Sequence, residues 1–567
     1  MQNKYQKIPY GEANFDALRS EDYLYVDKTR FIEVLESLPK YQFFIRPRRF
    51  GKSLFISMLE SYYDVNKKDK FEPLFGDLYI GKNPTPNRND FLTLMFSFAG
   101  IVTNLGKDKL IESFNGEIII KTLGFISRYS SFLKVDTLPK EFWTADKAIK
   151  FVMDKIKENN LKIFIFIDEY DNFANDLISV NDEQLYKDLL QGEGFVRTFY
   201  KTLKETTQQV NTRLFMTGVS PIMLDDMASG FNITTNLTTH HDLNEILGFN
   251  HDEVMELLHK YNFHNLDIDK IITDLKFYYN GYLFSENCKT KLYNSDMILY
   301  FLLSFKDGQY PKPILDENVR TDYRKIQRLA SLFEDAASVD FIIESNSVEA
   351  ELASRFPLEK MYHDKNNFLS LLFYMGMLTI SGAYKNKVYL SIPNYVIKSI
   401  YWEYFQDFLN TNVSIDRRKL DGIMTEMQQK GNIVPFLDYV NEIMKKLSNR
   451  DLMKFNEKYI KTIMFTLFFI DGLYINFSEM EVADGYMDIL LVKDQRYAQY
   501  VNYEWLIELK YLKASQKKML ANVRQQGKEQ LERYAPDAAA RERITPSGFK
   551  KALVTFIGKS KYQLDIF

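Results

Sequence analysis

The chain has 567 residues, with 73 Lys+Arg against 76 Asp+Glu, and is 46% hydrophobic and 26% charged. This composition excludes wholesale disorder, and a net charge of −3 excludes a uniformly basic nucleic-acid coat while leaving room for a local basic surface. At about 100–200 residues per domain, the length predicts about three to five domains. Cys288 is the only cysteine, which excludes an intrachain disulfide and a Cys-based zinc site. Adjacent His240 and His241 do not share a helical face, so no histidine metal pair is expected. The opening residues MQNKYQKIPYGEANF lack the apolar segment of a signal peptide. The longest apolar stretches, near Phe368–Ile380 and Ile463–Ile470, fall short of the ~20 residues that span a bilayer. A cytoplasmic protein without a membrane partner is expected.

From about residue 40 to 220, short apolar runs alternate with longer helical stretches. The runs are Tyr41–Ile45, Leu92–Phe98, Lys162–Ile167 and Arg213–Thr217, a pattern that predicts a parallel sheet covered on both faces. Between the first run and a helix at Leu54–Tyr63 lies Arg46-Pro47-Arg48-Arg49-Phe50-Gly51-Lys52-Ser53. Gly51-Lys52-Ser53 is the end of a phosphate-binding loop: backbone N–H groups wrap phosphates, Lys52 reaches the β/γ oxygens and the Ser53 hydroxyl ligates Mg²⁺. The first glycine of that motif is replaced by Arg46. Arg48 and Arg49 either neutralise phosphate or are solvated or paired with an acid such as Asp27.

The third run ends in Asp168-Glu169. Two carboxylates at the tip of a buried strand fit a cation and an attacking water, Asp168 holding Mg²⁺ and Glu169 acting as base. The competing reading makes Asp168 a helix N-cap. The fourth run ends in Thr217-Gly218-Val219-Ser220, where Thr217 either contacts the γ-phosphate or marks a turn.

Residues 221–310 read as mostly helical, with an Asn280-Gly281 turn. Residues 311–440 include helix, strand at Leu378–Ile380, turn, strand at Val388–Ile392 and a helix after Pro393. That order suits a winged-helix-like module and equally a generic α+β unit. The last region, 441–567, opens with a helix at Asp451–Phe469. Strands follow at Tyr474–Phe477, Tyr486–Val492, Tyr503–Leu509 and Ala552–Ile557, with a basic helix, Lys513–Tyr534, between the last two.

In a strand, Glu508 and Lys510 share a face. Asp488 on a neighbouring strand can join them, and two carboxylates with a lysine can bind Mg²⁺, activate water and stabilise a pentacovalent phosphate. Alternatively, Glu504, Glu508 and Lys510 form the wet face of a half-buried strand. Residues 511–551 hold ten Lys/Arg against four acids, a net +6 that suits a phosphate backbone, although a charge run is also what a solvated helix face shows.

Ile8-Pro9-Tyr10-Gly11, Tyr25-Val26-Asp27-Lys28-Thr29, the Arg46–Ser53 segment, Ile167–Asp171, Thr217–Ser220, Tyr279–Tyr282 and Ile392-Pro393-Asn394 together resemble the prokaryotic AAA-ATPase-like proteins that carry a C-terminal PD-(D/E)XK nuclease-like domain. The resemblance covers nearly the whole chain and accounts for Arg46, since the family has arginine there. It implies an α/β multidomain fold. An ASCE/AAA-like P-loop core spans 1–220, a helical lid 221–310, a helical and winged-helix-like module 311–440, and a restriction-endonuclease-like α/β domain 441–567. It implies ATP binding and hydrolysis at Lys52, Ser53, Asp168 and Glu169, and a D…ExK core of Asp488, Glu508 and Lys510 that takes Mg²⁺ or Mn²⁺; Arg49, Gly51 and Thr217 are further expected nucleotide contacts, with Mg²⁺ expected at Ser53 and Asp168. Met487 stands where the motif has proline. Glu457 matches an auxiliary acid, and Gln526 and Gln530 match substrate or metal-water contacts. The expected function is an ATP-gated nuclease acting on DNA more than RNA, in defence or mobile-element biology, with homo-oligomerisation through the ATPase domain. Its rival is a regulatory NTPase switch whose last domain only binds nucleic acid or a protein.

Overall fold

The computed structural model describes residues 6–101, 103, 106–137, 144–172, 185, 194–222, 231–261, 266–305, 308–320, 342, 347–356, 364–448, 456–482, 485–541, 544, 546–558 and 561–567. The chain divides into two compact units, one of residues 1–308, 313–342 and 346–396, the other of 309–312, 343–345 and 397–567. The division at 396/397 falls just inside the helix Tyr395–Val413, whereas the sequence pattern sets boundaries at 310 and 440.

The first unit is built on a parallel sheet. Strands β1 (Tyr41–Ile45), β2 (Leu92–Ser97), β3 (Lys162–Asp168), β4 (Asn211–Gly218) and β5 (Thr235–Asn236) lie in the order β2-β3-β4-β1-β5. Ile163 through Ile167 are all buried, as a strand covered on both faces requires. Helices α1 (Lys52–Tyr63), α2 (Lys107–Arg128), α3 (Ala145–Glu158) and α4 (Phe195–Thr207) belong to this layer. In α3, Ala148, Ile149, Val152, Met153 and Ile156 recur at helical spacing, and all five are buried.

Helices α5 (His251–Lys260), α6 (Ile268–Tyr279) and α7 (Ser295–Ser304) follow. A capping box of Asn250 and Glu253 starts α5, and the buried Lys28 ammonium reaches the two Glu253 oxygens at 2.7 and 2.8 Å. Next come β6 (Val348–Ala350), α8 (Lys365–Tyr374), β7 (Thr379–Tyr384) and β8 (Lys387–Ser391), the strands forming an antiparallel sheet in the order β6-β8-β7. The expected helix–strand–turn–strand–helix order is present, and β6 adds a third strand. Here the Asn280-Gly281 turn meets Pro393. Gly281 has φ +121°, and a Cβ on it would stand 2.0 Å from the Pro393 carbonyl oxygen, so only glycine fits.

The second unit contains α9 (Tyr395–Val413), α10 (Arg417–Lys430), α11 (Val434–Ser448) and α12 (Glu457–Asp471). Its sheet runs β13-β12-β11-β10-β9, with β9 (Tyr474–Val482), β10 (Gly485–Lys493), β11 (Glu504–Leu512), β12 (Phe549–Ile557) and β13 (Lys561–Ile566). β11 and β12 are parallel, so a crossover must join them; it is α13 (Leu520–Arg541), preceded by a 3₁₀ turn at Ala514–Met519. Leu531, Tyr534 and Ala538 of α13 pack with Leu490, Leu506 and Leu553 of the sheet. Trp402 of α9 stacks on Phe465 of α12 at 5.7 Å. No helix among the described residues is long and apolar enough to cross a membrane.

Candidate active sites

Between β1 and α1 the backbone enters the left-handed region twice, at Arg49 (φ +69°) and at Gly51 (φ +90°), the residue that caps α1. Lys52 is buried, and its Nζ donates to the Arg46 and Pro47 carbonyls at 3.0 and 2.9 Å. Ser53 Oγ donates to Asp168 Oδ2 at 2.6 Å, joining the start of α1 to the tip of β3. The two motifs of the expected phosphate site therefore touch. One strand, β4, separates β1 from β3. Asp168 Oδ1 accepts the Glu169 N–H at 2.9 Å. Asp171, which sequence reasoning left without a role, accepts the Val219 and Ser220 N–H groups and ties the end of β3 to the end of β4.

Charge is costly at this tip. Burial, then Asp168, raises the Glu169 carboxyl above its usual range. Burial also raises Asp168 in spite of Ser53, and it lowers the Lys52 ammonium against the pull of Asp168, Asp171 and Glu169. A cavity of about 620 Å³ opens here, polar at Lys52, Ser53 and Glu169 and apolar at Leu24, Phe249 and Leu257. A lining with both polar and apolar parts suits a ligand that carries charged groups on an apolar body. Thr217 is not among the lining residues; it is buried, and its Oγ1 has no hydrogen-bond partner.

The arginines of the loop divide their work. Arg49 Nη1 lies 3.8 Å from Asp296 Oδ2, and the Arg49 carbonyl accepts from Ser295 Oγ at 3.2 Å and the Asp296 N–H at 3.3 Å. The loop is thus fastened to the first turn of α7. Asp27 instead accepts from the Thr29 N–H and hydroxyl and from the Tyr79 N–H. Arg46 is buried and lies between the rings of Phe44 and Phe284, 4.3 and 4.1 Å from their centroids. Its guanidinium donates to the carbonyls of Ile45, Thr238 and Leu243. Burial lowers its pKa to about 9.

Where the motif has glycine, this chain therefore has a structural tie. Arg46→Gly is expected to destabilise the fold by about 2 kcal/mol or more, since three carbonyls lose a charged donor. It should not tighten nucleotide binding. Thermal melts and a nucleotide titration of the variant check both statements.

In the second unit, β10 pairs with β11 from Leu491↔Trp505 to Ile489↔Ile507, and Asp488 and Glu508 are the next residues on the two strands. Asp488 Oδ2 accepts the Leu509 N–H at 2.9 Å. Lys510 Nζ is 2.6 Å from Glu508 Oε1 and 3.8 Å from Asp488 Oδ2. Glu504 and Glu508 are buried, so the wet-face reading of this strand fails. Burial, then Asp488, pushes the Glu508 carboxyl up to about 7. Burial opposes the charge on Lys510, but Glu508 and Asp488 outweigh it and raise its pKa.

Glu508 Oε2 is buried with no hydrogen-bond partner. A carboxylate oxygen left in that state is costly unless a cation meets it. An all-oxygen donor set of this kind suits a hard divalent ion such as Mg²⁺ or Mn²⁺.

Of the auxiliary residues, Glu457 on α12 is close enough that Asp488, after burial, raises its pKa. Its oxygens, those of Asp488 and those of Glu508 do not all gather within 4.8 Å, whereas His240, His241 and Asp242 on the surface of the first unit do offer ligand atoms at that spacing. Adjacency of His240 and His241 argued against a shared helical face, but the two rings and Asp242 meet at a 3₁₀ turn instead of along a helix. Gln526 is exposed, Gln530 is half-buried, and neither bonds to the Asp488–Glu508–Lys510 group. Lys461, four residues after Glu457, was not anticipated: its Nζ is 3.0 Å from Asp488 Oδ1. Lys513, Lys517 and Lys518, just beyond Lys510, are exposed. Arg524 is taken by Asp565 in an ion pair.

Strand order, phosphate loop and strand-tip carboxylates define the first unit as a P-loop ATPase fold, and the second is a mixed-sheet α/β domain with two acids and a lysine where its central strands part. Residues 9–228 match the family described as predicted AAA-ATPase, and residues 455–564 match the PD-(D/E)XK nuclease superfamily. The chain carries the two-domain architecture of an AAA-ATPase-like domain followed by a PD-(D/E)XK nuclease-superfamily domain. It is 25% identical over 298 residues to an "Uncharacterized protein in vnfD 5'region" of Azotobacter chroococcum mcd 1, a match covering 52% of each chain. It thus spans about half the length of that curated relative. Among solved structures, the Aeropyrum pernix ORC2 protein (ADPNP-ADP complexes) aligns with 9% identity over 72% of this chain and 97% of its own, at a TM-score of 0.32. The Aeropyrum pernix ORC1 protein in complex with DNA aligns with 10% identity over 69% and 97%, at 0.27. With TM-scores this low, the fold assignment rests on strand order and loop geometry instead.

Proposed function

We propose that the protein is an ATP-gated, metal-dependent nuclease that cuts DNA in the cytoplasm and assembles through its ATPase domain. The observation that carries this reading is the convergence of Asp488, Glu508 and Lys510 with one buried Glu508 oxygen left unbonded. Mg²⁺ or Mn²⁺, when bound there, supplies Lewis acidity and a nucleophilic water near neutral pH. Asp488 and Glu508 would hold it. Lys510 orients the water and neutralises charge that develops on the phosphate, and Lys513, Lys517 and Lys518 receive the neighbouring backbone phosphates.

In the first unit Gly51, Lys52 and Ser53 cradle the phosphates and Mg²⁺ of ATP. Ser53 and Asp168 would hold that ion, and Glu169 is placed to accept a proton from the attacking water. The bond network from Arg49 to Ser295 and Asp296 supports α7 as the element that responds to nucleotide. Gating of the Asp488–Glu508–Lys510 site by that response is the coupling we infer from the two sites occurring in one chain.

A purified-protein assay with labelled DNA, Mg²⁺ and ATP tests the reading. Glu508 sheds its proton near pH 7, and only the ionised form offers both oxygens to a cation. At limiting Mg²⁺ the cleavage rate should therefore rise with pH through about 7. More Mg²⁺ should move that rise to lower pH. DNA binding without cleavage under every metal and nucleotide condition would instead favour a regulatory switch.

A further inference from the structure

The D…ExK pattern has no place for Lys461. It is buried on α12 four residues after Glu457, so the two side chains share a helical face. Its Nζ stands 3.0 Å from Asp488 Oδ1. On the other edge of the same carboxylate, Oδ2 accepts the Leu509 N–H at 2.9 Å. Lys510 Nζ engages Glu508 Oε1 at 2.6 Å, which leaves Glu508 Oε2 as the buried oxygen of the pair without a partner.

We propose that Lys461 occupies the position of a second cation, so that this site takes one divalent ion and excludes another. The inference rests on the metal-dependent nuclease reading. Sites that use two ions hold them about 3.5–4 Å apart and share a carboxylate between them. Here the oxygen of Asp488 that would be shared already faces an ammonium at 3.0 Å.

Charge points the same way. Glu457, Asp488 and Glu508 with Lys461 and Lys510 sum to one negative charge. One divalent ion takes that sum only to one positive charge, whereas a second would take it to three, a concentration of positive charge among buried groups that low dielectric makes costly. Lys461 is a positioning residue in this scheme. It fixes the outer edge of Asp488, and the remaining lone pairs of Asp488 and the free edge of Glu508 are what the ion meets.

The test is a count of bound Mn²⁺ on the full chain without nucleotide, by equilibrium dialysis near neutral pH, with Glu508→Gln as the background to subtract. The expected Glu508-dependent count is one per chain in the wild type, one in Lys461→Arg and two in Lys461→Met. A count of two in the wild type overturns the proposal while leaving the nuclease reading in place. An unchanged count of one in folded Lys461→Met also overturns it. A wild-type count of zero removes both this proposal and the metal-dependent reading beneath it. If Lys461→Met does not fold, the wild type and Lys461→Arg decide the matter, since a count of two in either contradicts exclusion by a cation.

Discussion

Lys510→Ala is expected to slow DNA cleavage by at least about 10²-fold and leave ATP hydrolysis at the wild-type rate. The Lys510 ammonium is the cation bonded to Glu508 Oε1, and it also faces Asp488. Its removal takes away the group that would meet charge developing on the phosphate, and losses of this kind cost about 10²–10³ in turnover. It also leaves Glu508 buried with both oxygens unbonded, so its affinity for a proton climbs further from a value already pushed up to about 7. Both effects act against cleavage. The ATPase residues belong to the other compact unit and keep their own bonds. Product release from labelled DNA and phosphate release from ATP, measured in one sample, separate the outcomes. Cleavage retained in this variant would remove Lys510 from the chemistry.

Lys52→Ala carries the second large effect. Lys52 Nζ donates to two loop carbonyls, Arg46 and Pro47, and the buried side chain lines the cavity. The phosphates of ATP would draw the same ammonium, and its loss should slow hydrolysis by at least about 10²-fold, as expected for a lost transition-state cation. Nucleotide should also cease to stabilise the fold. A ligand at 100 times its dissociation constant adds about 2.7 kcal/mol to the wild type, and the variant should show no such shift in a thermal melt with ATP and Mg²⁺.

Much of this was readable in the residues. The runs at β1 to β4 are continuous and apolar because the sheet buries both faces, and such runs announce themselves. β5 and β6 did not, being two and three residues long with partners far along the chain. β13 did not either, since it is only half-buried and lies against β12 at the end of its sheet. Spacing brought Glu508 and Lys510 to one face, but whether that face was wet depended on packing that only tertiary structure supplies. Arg46 illustrates the opposite limit. The sequence could register that a motif glycine is missing, yet not that the guanidinium turns between Phe44 and Phe284, a ring from far along the chain. Lys461 was equally silent. Its meaning lies in Asp488, 27 residues further on, and a buried ammonium in an apolar helix has no local signature.

The central claim is that ATP controls the Asp488–Glu508–Lys510 site, and the initial rate of DNA cleavage across an ATP titration tests it most directly. With Mg²⁺ fixed, the wild-type rate should change with ATP and saturate, while Lys52→Ala should hold one rate throughout. Equal rates with and without ATP in the wild type, matched by Lys52→Ala, would contradict gating and leave two independent activities on one chain.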